Sequence, residues 1–163
     1  MKPRLLDLFC GAGGAGMGYY RAGFEVVGVD IVRQPRFPFK FIQADAMTFD
    51  LSGFDAVHAS PPCQGYSKTR HQVDSRLGKR ERPLLLDEIR ARLVRSGQPW
   101  VLENVAWARM PAAIKLCGSA LGLRVTRHRF FESSSLIFAP GPCRHGRSRQ
   151  PTPNGSASNS WQR

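Results

Sequence analysis

The chain has 163 residues, 42% of them hydrophobic, which suits one α/β core and leaves little room for a second domain. Lys and Arg number 24 against 12 Asp and Glu, a net charge of +12, so a polyanion is the expected partner and nucleic acid the first candidate. No apolar stretch approaches the ~20 residues of a membrane span, no basic amphipathic helix marks a membrane surface, and Asp7 interrupts the first apolar run, so a cytoplasmic protein without membrane contact is expected.

Leu5 to Phe9 predicts a first β-strand, running into Cys10-Gly11-Ala12-Gly13-Gly14-Ala15-Gly16. Met17 to Ala22 predicts a helix with Gly23 at its end. Glu25 to Val29 reads as a second strand closed by Asp30, Phe39 to Gln43 as a third followed by Asp45, and Asp55 to Ala59 as a fourth. Ser60-Pro61-Pro62-Cys63 comes next, then a polar, basic loop to about Arg82. Leu85, Ile89 and Leu93 recur at helical spacing. Trp100 to Leu102 is a fifth strand ending at Glu103-Asn104, Pro111 to Ala120 reads as another helix, and Leu123 to Phe131 and Leu136 to Phe138 read as late strands. Strands alternating with helices predict a doubly wound, mostly parallel α/β sheet over residues 1–140. From Gly141 to Arg163 Pro, Ser, Gly and Asn dominate without an acidic residue, which predicts a disordered basic tail.

Glycines after a first strand let backbone approach a ligand, and an acid about 20 residues on can accept hydrogen bonds from ribose hydroxyls. Gly11, Gly13 and Asp30 fit that layout, which serves a dinucleotide, S-adenosylmethionine, or only tight packing. The cysteines Cys10, Cys63, Cys117 and Cys143 form no CxxC pair and no zinc-ligand framework, so free thiols are expected. Cys143 and His145 can make half of a metal site, but they read as scattered tail residues and no metal is assigned.

Two strings narrow the choice. Asp7-Leu8-Phe9-Cys10-Gly11-Ala12-Gly13-Gly14 resembles the first motif of cytosine-5 DNA methyltransferases, and Pro61-Pro62-Cys63-Gln64-Gly65-Tyr66-Ser67 resembles their catalytic motif, with Tyr66 where the family usually has Phe. Glu103-Asn104-Val105 resembles the family's Glu-Asn-Val motif, and Arg127-His128-Arg129 the end of its Gln-x-Arg-x-Arg motif, with Val125 in place of the Gln. The resemblance implies a Rossmann-like catalytic domain that uses S-adenosylmethionine. Phe9, Cys10, Gly11, Ala12, Gly13 and Gly14 would then form the cofactor loop. Asp30 would hold the ribose, Ile31 pack on the adenine, and Asp45 with Ala46 meet the adenine amino group, with Pro61 nearby. It further implies that Cys63 adds to C6 of a flipped cytosine, that Glu103 meets N3 and the exocyclic amine, that an arginine among Arg127 and Arg129 holds O2, and that Asn104 orients the loop. Alternating residues on a strand put both arginines on one face; His128 faces the other way and carries no assigned role.

The resemblance covers about Leu5 to Glu132. A target-recognition region and a Gly-Asn-Ser-Val-like last motif have no counterpart, since Asn159-Ser160 is too little. A minimal enzyme, a truncated one, or half of a split enzyme with a second chain for recognition all fit. The expected partner is cytosine-containing duplex DNA, in a protein of prokaryotic or phage origin. An RNA cytosine-5 methyltransferase of the transfer RNA type is the near rival. A catalytically silent nucleic-acid-binding module is the rival from another class, and a nucleotide-dependent oxidoreductase leaves the Pro-Pro-Cys string unexplained. Lys68, Arg70, Arg76, Lys79, Arg80 and Arg82 are placed to bind phosphates.

Overall fold

A computed structural model describes residues 1–66 and 83–146. In chain order the elements are β1 (Arg4–Leu8), α1 (Gly14–Arg21), β2 (Glu25–Asp30), β3 (Lys40–Gln43), β4 (Ala56–Ala59), α2 (Leu86–Ser96), β5 (Trp100–Asn104), β6 (Ile114–Cys117), a 3₁₀ turn (Gly118–Leu121) and β7 (His128–Ser133). The strands form one seven-stranded sheet in the order β3-β2-β1-β4-β5-β7-β6. β3 through β5 run parallel, whereas β7 is antiparallel to both β5 and β6. This is the α/β, Rossmann-like arrangement that the alternating pattern predicted.

The strand sequences explain why both faces are covered. β1 reads Arg-Leu-Leu-Asp-Leu with its last four residues buried, as a central parallel strand requires. Leu6 and Leu8 face α2 and join Val57, Ala59, Leu102, Ile89 and Leu93 in the larger core. Leu5 faces the α1 side with Val26 and Phe37. Gly28 on that face carries no side chain because a Cβ there would lie 2.3 Å from Phe37 Cζ.

Helix α2 is tied down by polar contacts at its start and along its middle. Arg92 donates to the carbonyls of Ala46 (2.8 Å) and Phe49. Arg90 donates to Glu132 on β7 (2.6 Å) and to the Arg109 carbonyl (2.8 Å), and Glu132 is buried. These arginines hold elements together, so part of the basic excess is structural. At the helix start the Leu86 N–H donates to the Tyr66 hydroxyl at 3.1 Å. That bond accounts for a tyrosine where the related motif has phenylalanine: its hydroxyl satisfies an otherwise orphaned helix N–H. Tyr66→Phe is expected to lower stability by about 1 kcal/mol. Urea unfolding checks this; an unchanged midpoint would show that water replaces the hydroxyl at no cost.

Three elements differ from the sequence expectation. The helix expected over Pro111 to Ala120 is strand β6 followed by a 3₁₀ turn. Ile114-Lys115-Leu116-Cys117 alternates at period two, and pairing with β7 selects that period. β7 begins at His128, not Leu123, so Arg127 lies just before the strand. Leu136 to Phe138 forms no strand: β6 already occupies the sheet edge beyond β7, and Leu136 and Phe138 stay exposed. Of the tail expected from Gly141, Cys143 and His145 lie against His128, and residues 147–163 fall outside the described set. No described helix is long and apolar enough to cross a membrane.

Candidate active site

Strand order reverses between β1 and β4, so the chain leaves the two strands in opposite directions and opens a crevice at their carboxyl ends. A cleft of about 800 Å³ occupies this place. Cys10 and Gly14 after β1, Pro61 and Cys63 after β4, Glu103 near the end of β5, and Arg127 and Arg129 at β7 all line it. Residues from four separate strand ends thus meet in one cavity. Gln64 of the Pro-Pro-Cys string also lines it, as do Tyr19, His58 and Phe131, which lie outside every motif singled out in the sequence.

The loop after β1 is bent by a run of left-handed residues: Phe9 (φ 58°), Gly11 (48°) and Gly13 (88°). Among the described residues Phe9 is the only non-glycine with positive φ, a conformation costing about 1 kcal/mol or more. A Cβ at Gly13 would sit 2.8 Å from Pro38 Cδ, whereas one at Gly11 or Gly14 would meet nothing. The loop therefore packs tightly below and is open above. Asp30 braces it: one carboxylate oxygen accepts the Gly11 N–H (3.0 Å) and the other the Val32 N–H (2.9 Å). Ile31 beside it is 67% exposed, an apolar surface next to a carboxylate.

Other expected cofactor residues lie off the cleft lining. Phe9 packs against the larger core, and Ala46 is buried within it. The Asp45 carboxylate accepts the Met47 N–H (2.8 Å) in a turn. Ala12, Gly11, Gly13, Asp30 and Ile31 are likewise not among the cleft residues. The residues expected for catalysis and those expected for the cofactor thus group separately, joined by Cys10, Gly14 and Pro61.

The loop carrying Cys63 is held from two sides. Fully buried Asn104 donates to the Pro61 carbonyl (3.1 Å) and accepts the Val105 N–H (2.8 Å). The Tyr66 N–H donates to the Cys63 carbonyl (3.1 Å), closing a turn. Glu103 pairs with Arg129 at 2.8 Å, and Arg129 also donates to the His128 carbonyl at 2.9 Å. Burial pushes the Glu103 carboxyl up, while Arg129 and Arg127 pull it down. Cys10 shares the cleft, but burial and the nearby Asp7 and Asp30 push its thiol up to about 12.

Beneath the loop lies a buried polar pair: Asp7 opens the glycine-loop string without a role assigned to it, and His58 lies outside every motif. Asp7 and His58 are register partners on β1 and β4, and both are buried. The His58 Nδ1 lies 3.1 Å from the Tyr19 hydroxyl. Neither Asp7 oxygen closes a hydrogen bond of good geometry among the described residues, although the Gly16 N–H lies close enough to favour the charged carboxylate. Burial pushes Asp7 up to about 7 and His58 down to about 4. Knowing the strand order would have revealed the pair, since both residues sit at α1-facing positions. The basic residues Lys68, Arg70, Arg76, Lys79, Arg80 and Arg82 fall outside the described residues.

Among solved structures, the chain is similar to the PH0226 protein of Pyrococcus horikoshii OT3, at 24% identity over 64% of this chain and 47% of that one, with a TM-score of 0.44. It is also similar to an RNA methyltransferase from Salinibacter ruber in complex with S-adenosyl-L-homocysteine, at 16% identity over 86% and 87% of the two chains, with a TM-score of 0.44. A curated relative, the type II methyltransferase M.HgiDI of Herpetosiphon aurantiacus, is 33% identical over 135 residues. That match takes in 73% of this chain but only 42% of the relative's length. The model of the C-5 cytosine-specific DNA methylases matches residues 3–111, taking in the glycine loop, Cys63 and Glu103, and the chain belongs to that S-adenosylmethionine-dependent family.

Proposed function

We propose that this chain methylates C5 of cytosine in DNA, with Cys63 as nucleophile and S-adenosylmethionine as methyl donor. The observation that carries this reading is the convergence of Cys63, Glu103, Arg127 and Arg129 on one cleft whose wall includes the cofactor loop at Cys10 and Gly14. Asp30 and exposed Ile31, beside glycines with open space above them, suit a nucleoside: a carboxylate for ribose hydroxyls and an apolar face for a base. When bound, S-adenosylmethionine supplies an electrophilic methyl group on sulfur.

The residues of this chain do the rest. Cytosine C5 is too weak a nucleophile by itself. The Cys63 thiolate forms a bond to C6, and the ring's displaced electron pair makes C5 nucleophilic. Glu103, favoured in its protonated form by burial, donates toward N3 and stabilises the charge that develops there. Arg129 or Arg127 then holds O2, the Glu103–Arg129 pair opening as the base enters. After C5 gains the methyl group its proton passes to solvent water, the C5–H electron pair re-forms the C5–C6 double bond, and the C6–sulfur bond breaks with its electron pair returning to the Cys63 thiolate. Asn104 keeps the Pro61-Pro62-Cys63 turn against β5 throughout. The target base has to leave the duplex, which costs a few kcal/mol. Phosphate contacts by basic residues offset that cost.

Labelled methyl transfer to duplex DNA and to transfer RNA, followed by mapping of the modified base, tests the proposal. The label is expected at C5 of cytosine in DNA. Asp30→Ala is expected to weaken cofactor binding by roughly tenfold or more, the loss of a charged ribose contact. Label in transfer RNA alone would assign the substrate to RNA. Cofactor binding without transfer to either would support the silent-module reading.

A further inference from the structure

We propose that Cys117, His128, Cys143 and His145 form a tetrahedral site for one zinc-like divalent cation, which staples the segment after β7 to the β6–β7 hairpin. One ligand atom from each residue can be chosen so that all lie within 4.8 Å of one another. The His128 Nε2 is 3.2 Å from the His145 Nε2 and 3.3 Å from the Cys143 Sγ. Zinc bonds of about 2.0–2.1 Å to nitrogen and about 2.3 Å to sulfur give tetrahedron edges of about 3.3 Å between nitrogens and about 3.6 Å between nitrogen and sulfur. These two spacings match those edges to within a few tenths, and the widest pair of the four, within 4.8 Å, has to draw in by about 1 Å to reach a sulfur–sulfur edge of about 3.8 Å. A single hydrogen bond would explain one such contact; it does not explain four ligating groups gathered within 4.8 Å of one another.

The supporting contacts leave the right atoms free. The His145 Nδ1 donates to the Gly146 carbonyl at 2.9 Å, so its Nε2 keeps a lone pair for a metal. The Arg144 N–H donates to the Ser119 hydroxyl at 3.1 Å, and that hydroxyl lies 3.2 Å from the Cys117 Sγ, placed to donate to a thiolate. Two sulfurs and two imidazoles without a carboxylate favour zinc over magnesium or calcium. Cys117 and His128 are cross-strand partners, so half of the site is built on a rigid hairpin.

The strand alternation gives the site a consequence. His128 faces away from the cleft, and Arg129, the next residue, faces into it and meets Glu103. A metal on His128 therefore anchors the start of the strand that presents the arginine. The site is separate from the matched family region, which ends at residue 111, before the first ligand.

Elemental analysis of the full chain, purified without chelator, is expected to give about one zinc per chain. Cobalt(II) should replace it with the intense visible bands of a tetrahedral site and a sulfur-to-cobalt charge-transfer band. His145→Ala and Cys143→Ser should each weaken metal affinity by at least tenfold, whereas Cys63→Ala should leave the cobalt spectrum unchanged. His145 lies beyond the last strand, so its variant keeps the sheet, and a chelator should lower the melting temperature of the wild type but not of His145→Ala. A chain that carries no zinc and takes up no cobalt overturns the proposal. So does a cobalt spectrum that survives Cys143→Ser, or a Cys117–Cys143 disulfide as the form isolated under reducing conditions.

Discussion

Cys63→Ser is expected to abolish covalent capture of DNA carrying 5-fluorocytosine in the presence of S-adenosylmethionine. Fluorine at C5 leaves no proton to remove after methylation, so the C6–sulfur bond cannot break and the complex persists. A serine hydroxyl is a far weaker nucleophile at neutral pH, and capture should fall at least about 10³-fold. Cofactor binding should survive, because Cys63 lies on the β4 loop and not on the glycine loop. Peptide mapping of the captured species decides which sulfur reacts. Cys10 is the competitor within the cleft, but its thiol is pushed up to about 12 and stays protonated at neutral pH. Attachment at Cys10, Cys117 or Cys143 would refute the mechanism.

The second large effect concerns the Asp7–His58 pair, where two buried groups oppose each other in proton balance. The Asp7 carboxyl rises from 3.8 to about 7 because burial outweighs the Gly16 N–H, which acts the other way, and the charge of Asp30 adds a smaller rise. Alone, it holds a proton in the folded chain that the unfolded chain has lost, so stability falls as pH rises from 3.8 to about 7. His58 falls from 6.5 to about 4 through burial. Alone, it lacks a proton that the unfolded chain holds, so stability falls as pH drops from 6.5 to about 4. Between about 4 and 6.5 the two effects cancel, each state holding one proton on the pair, and their joint contribution is flat.

Asp7→Asn removes one side of that balance. It should unmask a profile that rises with pH between about 4 and 6.5. Above pH 7 the ionised, buried Asp7 costs the wild type roughly 4 kcal/mol at most, so the variant should be more stable there by up to that amount. Below pH 4, where the carboxyl is protonated, the two chains should differ little. Denaturant unfolding across this range measures both. A variant less stable than wild type at pH 8 would instead show that Asp7 and His58 form a charge pair.

The family and much of the frame were legible in the residues alone. The Leu5-to-Phe9 and Glu25-to-Val29 runs stand within a residue of β1 and β2, because buried parallel strands are continuous apolar stretches bounded by glycine and acid. The loop motif and the Pro61-Pro62-Cys63 string are local: adjacent residues carry the resemblance to the family, so it is legible before the chain is folded. Leu85, Ile89 and Leu93 announced α2 through a period that does not depend on neighbours.

Tertiary structure decided what depends on pairing across the chain. Residues 114–117 are too few for helix and strand periods to separate, and only the antiparallel contact with β7 makes them a strand. Arg127 and Arg129 reach the cleft because β7 inserts beside β5, an order no local pattern encodes. Asp7 and His58 become neighbours only once β1 and β4 pair. The four cysteine and histidine ligands show no metal spacing, since Cys117 and His128 meet through strand register and Cys143 and His145 through a return of the chain. Sequence spacing reports chemistry built within one turn or loop; chemistry assembled from separate strand ends becomes visible only when the sheet sets its register.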